Sequence, residues 1–244
     1  RLLTEHRVRP TALAPVWRLA GFALGAAIAS KPWAIGFLPL LLALSTSSPF
    51  WQARRTGLKG YRLKVFERFP RTGIPDSFES LSEYTDYCNL LVKTGCIDNA
   101  KKIWWDIRLH PFFDTLEVRV CDAQSRVEDT LAIAALIQAV ISKLHKLLHQ
   151  NITFRIYRRR LLDENRWRAA RYGIEGKLID FGREAEVDER SLLNELLDFV
   201  STEVKELGSE REMAHIERII REGTGADALP LQIVGVVERL QSPW

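Results

Sequence analysis

The chain has 244 residues, 35 basic and 31 acidic side chains for a formal charge of +4, and a 46% hydrophobic composition. That is too apolar and too balanced in charge for a disordered tail, and 14 Gly and 10 Pro without a period exclude a collagen-like chain. Three scattered cysteines, Cys88, Cys96 and Cys121, exclude a disulfide scaffold, and no Cys-x-x-Cys pair supports a zinc site, so a reducing, cytoplasmic compartment is expected.

Residues 19–29 form an uncharged apolar run, and residues 33–44 form a second run interrupted by Pro39. Neither reaches the ~18–20 residues of a membrane-spanning helix. Arg1, Arg7, Arg9 and Arg18 ahead of the first run imitate a secretory signal, and Gly21 and Gly25 make a GxxxG of the kind that lets helices approach. Contact of residues 10–44 with a membrane surface is one reading of this segment.

From about residue 37 the pattern becomes regular α+β. Phe37–Leu44 is an apolar segment that ends in the turn signal Ser45-Thr46-Ser47-Ser48-Pro49. Residues 54–71 then carry seven basic side chains against Glu67 alone. Asp76 or Ser77 is expected to cap a helix with apolar positions Phe78, Leu81, Tyr84, Leu90 and Leu91, ended by Gly95. Cys96 reads as a small buried hydrophobe, and Trp104, Trp105, Trp167 and Tyr172 read as core or wall residues.

Segments 103–108 and 115–120 are rich in β-branched and aromatic residues around a His-Pro loop, and predict an antiparallel hairpin. Strand alternation puts Asp106 and Arg108 on one face and Glu117 and Arg119 on one face, away from the apolar residues. One register sets Asp106 opposite Glu117, which needs a cation between them; the other sets each acid beside an arginine. Two readings stay open: a surface ladder of ion pairs, or a site where a carboxylate holds Mg²⁺ and arginines hold phosphate oxygens.

Ser125–Glu128 spells a capping box opening a long amphipathic helix to about His149. His145 and His149 on it are spaced i,i+4, either a metal pair or a solvated helix end. His110 and His215 show no metal spacing. Residues 155–171 hold seven arginines against Asp163 and Glu164, whereas residues 180–222 hold thirteen acids and six bases. Ser209–Glu212 opens a last helix closing near Gly223. The two basic clusters suggest a polyanionic ligand or two solvated helix faces. Nucleic acid is not expected, because the aromatic residues do not interleave with the basic ones.

Two resemblances add to this. Arg9-Pro10-Thr11-Ala12-Leu13-x-Pro15-x-Trp17 with Ala20-Gly21-Phe22-x-Leu24-Gly25-Ala26, within residues 5–29, resembles the hinge and hydrophobic helix of the demethoxyubiquinone hydroxylase family. It carries none of the Glu and Glu-x-x-His ligands that a di-iron site needs. Over residues 37–227, Ser45–Trp51, Tyr61-Arg62, Phe69–Gly73, Trp104–Arg108, Glu117-Val118-Arg119-x-x-Asp122 and Glu164–Gly173 resemble the glutamate–cysteine ligase type 2 family of carboxylate–amine ligases.

The second resemblance implies an antiparallel sheet flanked by helices, glutamine-synthetase-like, and a reaction in which Mg·ATP phosphorylates the γ-carboxyl of glutamate for attack by an amine such as that of cysteine, the chemistry of glutathione biosynthesis. It implies Glu117 as a Mg²⁺ ligand, Arg119 as the group that neutralises the transferring phosphate, and Asp106 and Arg108 as residues orienting metal or substrate. Arg62, Asn165 and Arg166 would contact substrate or nucleotide. ATP and Mg²⁺ are the implied cofactors, glutamate and an amine the implied partners, and homo-oligomerisation is left open. The family's Glu-x-Glu strand and His-bearing strand do not precede residue 37, so three parts are expected: a hydrophobic helical piece over 1–36, the C-terminal part of a ligase domain over 37–227, and an unassigned tail over 228–244. Two alternatives stand beside the ligase: a non-catalytic remnant that binds nucleotide or a partner, and a membrane-surface protein linked to ubiquinone biosynthesis.

Overall fold

The computed structural model describes residues 33–229, apart from 79, 114 and 153–156. The hydroxylase-like stretch and most of the expected tail therefore lie outside the described residues.

Helix α1 (Leu38–Ser45) is apolar all round, and all of its residues except Leu40 are buried. That is the pattern of a helix running through a core rather than along a surface. Pro39 is harmless in its first turn, where the missing N–H would have no partner anyway. Around α1 pack α4 (Val127–His149), α5 (Arg159–Tyr172) and α6 (Glu189–Leu207), and α7 (Glu210–Glu222) covers α4 and α6. Their buried aliphatic residues form one continuous core with Leu42, Ala43 and Leu44 at its centre. Among the described residues, α4 is the one helix long and apolar enough to cross a membrane. Its apolar stripe, Ala132, Ile133, Leu136, Ala139, Val140 and Leu144, belongs to this core.

The turn after α1 is not a solvent loop. Thr46 and Thr224 share a hydroxyl hydrogen bond of 2.9 Å, and Asp122 Oδ2 accepts from the Ser47 N–H at 3.0 Å and the Ser48 hydroxyl at 2.6 Å. Gly173, at φ +55°, ends α5 against this turn; a Cβ there would stand 3.0 Å from Thr46 Oγ1. Glycine thus meets both the left-handed backbone and the close approach.

Instead of one broad antiparallel sheet, the described residues hold four two-stranded pieces. They are β1 (Phe50–Trp51) with β2 (Arg54–Arg55), β3 (Thr72–Gly73) with β4 (Trp104–Trp105), β5 (Ile107–Leu109) with β6 (Leu116–Val118), and β7 (Lys177–Asp180) with β8 (Ala185–Asp188). The β3–β4 pair is parallel and the other three are antiparallel. The short helix α2 (Arg62–Phe66) follows β2, and α3 (Leu81–Lys93) follows β3. The mixed helix-and-strand class stands; the flanked-sheet architecture is seen only as these fragments.

Several local expectations are corrected. Ser80, not Asp76 or Ser77, caps α3 by accepting from the Glu83 N–H, and Leu81 and Leu90 are exposed. Gly95, at φ +71°, follows α3 as expected. Helices α4 and α7 start where their capping boxes point, but neither has a side-chain cap: Arg126 is the N-cap of α4, and the Ser209 hydroxyl donates back to Val204 O. Cys96, Trp167 and Tyr172 are exposed, while Trp105 is buried in a small second core with Phe78, Cys88, Ile97 and Ile103.

Candidate active site

The predicted hairpin forms, with a break. The chain bends at Asp106, between β4 and β5, so that Trp105 enters the small core and Ile107 the main one. Backbone bonds stitch the pieces together at that bend. The Asp106 N–H donates to Gly73 O at 2.8 Å, and the Arg119 N–H donates to Asp106 O at 2.7 Å. Asp106 is therefore the residue through which the β3–β4 and β5–β6 pairs become one irregular patch.

The register sets Arg108 opposite Glu117. This is the arrangement that neutralises charge within the hairpin, not the one that needs a cation between two acids. Arg108 reaches Glu117 Oε2 from Nε at 2.9 Å and from Nη2 at 2.7 Å. Its Nη1 donates to the carbonyls of Ala100, Lys101 and Ile103, closing the strand onto the preceding turn. The Arg119 guanidinium takes the other carboxylate oxygen, Oε1. Burial raises the Glu117 carboxyl, but the hydrogen bonds from Arg119 and Arg108 outweigh it and hold the group below its ordinary range. The acid is ionised and shared between two cations.

Asp106 and Arg108 were expected on an open polar face, yet both are only 6% exposed. Asp106 finds its partner sixty residues on, in α5. Arg166 Nε lies 2.5 Å from Asp106 Oδ2 and Nη2 lies 3.3 Å from Oδ1, while Nη1 donates to Glu67 at 3.1 Å. Burial pushes the Asp106 carboxyl up, and Arg166 opposes the shift, with Arg62 adding to the opposition. The Arg62 backbone N–H is tied to the Ser48 hydroxyl at 2.9 Å, and its guanidinium rests 4.7 Å over the Phe66 ring. Its charge opposes the upward shift of both the Asp106 and the Asp122 carboxyl.

The structure thus links Asp106, Arg108, Glu117, Arg119 and Arg166 by direct contacts, five of the seven residues singled out from the sequence, with Arg62 acting on Asp106 through its charge. Asn165 is set apart. Its amide holds both backbone groups of Ile179, donating to O and accepting from N at 2.8 Å each, and so ties α5 to β7. It borders a cavity of about 810 Å³ lined by Ile35, Leu40, Ile74, Leu162, Phe181 and Phe199, which contains none of the hairpin residues.

Residues without a sequence-derived role also enter. Glu67 is the second anchor of Arg166, and Asp122 organises the Ser47–Ser48 turn that positions Arg62. Gly73, at φ +86°, passes beneath Arg159 and Arg166, where a Cβ would stand 3.9 Å from both guanidiniums. The Phe69–Gly73 motif was the available signal for it. Among the described residues no three His, Cys, Asp or Glu side chains converge as a metal site.

This geometry can be set beside known proteins. The family model "Glutamate-cysteine ligase family 2 (GCS2)" matches residues 32–233, and the model "Ubiquinone biosynthesis protein COQ7" matches residues 1–38. A protein of Solibacter usitatus, named "Putative glutamate--cysteine ligase 2", is 61% identical over 191 residues, covering 78% of this chain and 50% of the relative. Proteins of the same name from Sorangium cellulosum and from a Roseiflexus species are 58% and 56% identical over the same length, covering 51% and 50% of those relatives. The chain spans about half the length of the curated relatives it matches. Both resemblances read from the sequence motifs are matched by these comparisons. With the match running through the hairpin, the α5 arginines and the core helices alike, the chain belongs to the glutamate–cysteine ligase family 2.

Proposed function

We propose that this chain carries the phosphate-facing part of an ATP-dependent carboxylate–amine ligase, with glutamate and an amine such as cysteine as substrates. The observation that supports this reading is Glu117 held between Arg108 and Arg119 on β5–β6, with the buried Asp106–Arg166 pair beneath. A transferring phosphoryl group spreads negative charge over its oxygens, and fixed guanidiniums absorb that charge without reorganising. Arg119 is the more exposed of the two arginines on Glu117 and is the group assigned to phosphate. Arg62, with no carboxylate in ion-pair range among the described residues, is assigned to substrate or nucleotide oxygens.

Arg108 and Arg166 are too enclosed to reach a substrate, so they and Asp106 are assigned the positioning of the hairpin. The fit to Mg²⁺ is incomplete: both Glu117 oxygens already hold guanidiniums, and among the described residues Glu117 belongs to no group of three His, Cys, Asp or Glu side chains that could hold a metal. Glu117 is accordingly assigned the orientation of Arg119, and a magnesium site would need ligands beyond those described.

The test is ADP release from Mg·ATP by the purified chain with glutamate alone, cysteine alone and both, alongside Arg119→Met. Release that requires both amino acids and falls in the variant supports the ligase. Folded protein that binds nucleotide but releases no ADP supports the second reading, a non-catalytic nucleotide-binding remnant.

A further inference from the structure

Helix α4 ends on a pair of groups that the ligase reading does not use. His145 and His149 sit one turn apart on it, His145 half-buried and His149 exposed. Their Nε2 atoms face each other at 3.2 Å, with ring centroids 4.5 Å apart and ring planes crossed at 71°. A metal–imidazole bond is about 2.0–2.1 Å, so two nitrogens on one tetrahedral or square-planar metal stand roughly 2.9–3.4 Å apart. The two rings are already at that separation.

The surroundings also favour a cation. His149 is the last residue of a 23-residue helix, so it sits at the negative end of the helix dipole. The lysines nearest in the helix carry their own counter-ions: Lys146 pairs with Glu203 and Glu206, and Lys143 pairs with Glu203.

We infer that His145 and His149 form a two-histidine site for a borderline divalent transition metal, Zn²⁺, Ni²⁺ or Cu²⁺, at the C-terminal end of α4. No third His, Cys, Asp or Glu joins them among the described residues, which makes it an open site with positions left to water or to a ligand from another molecule. Mg²⁺ prefers hard oxygen ligands and does not compete for it, so the site is independent of the nucleotide chemistry proposed above.

The experiment is calorimetric titration of the untagged full chain with NiCl₂ in the presence of excess MgCl₂. His145→Ala, His149→Ala and the control His110→Ala are titrated in parallel, each shown by circular dichroism to keep the wild-type spectrum. The expected result is a saturable site in the wild type and in His110→Ala that is lost in each of the two helix variants, with Ni²⁺ raising the melting temperature only where it binds. Absence of binding by the wild type, or a wild-type isotherm in either helix variant, would overturn the assignment.

Discussion

In the helical body, Leu42, Ala43, Leu44, Leu136 and Ile216 are fully buried against one another. Around β5–β6 the enclosed groups are instead Asp106, Arg108 and Arg166, each about as inaccessible as a core leucine. Burial of aliphatic surface stabilises without regard to direction, whereas a buried ion pair roughly repays its own desolvation and fixes geometry. The body therefore supplies stability, and the hairpin uses it to hold guanidiniums in place. Substitutions in the two regions should differ in kind as well as in size.

The largest effect is expected from Arg166→Ala, which leaves Asp106 buried without its cation and releases Glu67. Breaking such a pair costs about 3–5 kcal/mol, readable as a lowered urea midpoint. A loss under about 1 kcal/mol would mean that water reaches Asp106 and that the hairpin is not a desolvated site. Leu42→Ala in the body should cost about 2–5 kcal/mol through lost contacts and a cavity. Unlike a hairpin substitution, it should leave Mg·ATP affinity unchanged in the fraction that remains folded.

Glu189 adds a pH dependence to the body. It is fully buried at the start of α6, neither carboxylate oxygen has a hydrogen-bond partner among the described residues, and burial raises its pKa from 4.5 to about 9. The folded chain thus keeps a proton that the unfolded chain releases. This contribution to stability is complete below pH 4.5 and is lost as pH rises through about 9. In Glu189→Gln the decline of the urea midpoint across that window should be shallower than in the wild type.

How much of this was legible in the sequence depends on the distance between partners. The hairpin, α4 and α7 were readable because periodicity and turn residues are local signals. The α3 start was misplaced, although Ser80-x-x-Glu83 carries the same signature that pointed to the starts of α4 and α7; all three spell a capping box, and only Ser80 makes the bond. The partners of Asp106 could not be read, since nothing in Trp104–Arg108 points to Arg166 sixty residues away. Nor could alternation survive the bend at Asp106, which exists because its backbone links Gly73 to Arg119. The identities of the candidate site residues were thus carried by motif resemblance, and the proposed division into positioning and ligand-facing groups rests on burial.

Smaller effects sharpen the comparison further. Arg119→Met removes a half-buried pair at the hairpin rim and should change stability by no more than about 1 kcal/mol. Arg183→Ala, which removes an exposed pair with Glu195, should leave the melting temperature and Mg·ATP binding both unchanged.

The most direct test of the hairpin as a phosphate-facing site is calorimetric titration of Mg·ATP into the wild-type chain and into Arg119→Met at matched stability. The expected result is saturable binding that is lost or strongly weakened in the variant. Equal affinity in the two proteins would contradict the assignment of Arg119 to phosphate, and with it the division of labour between the hairpin and the helical body.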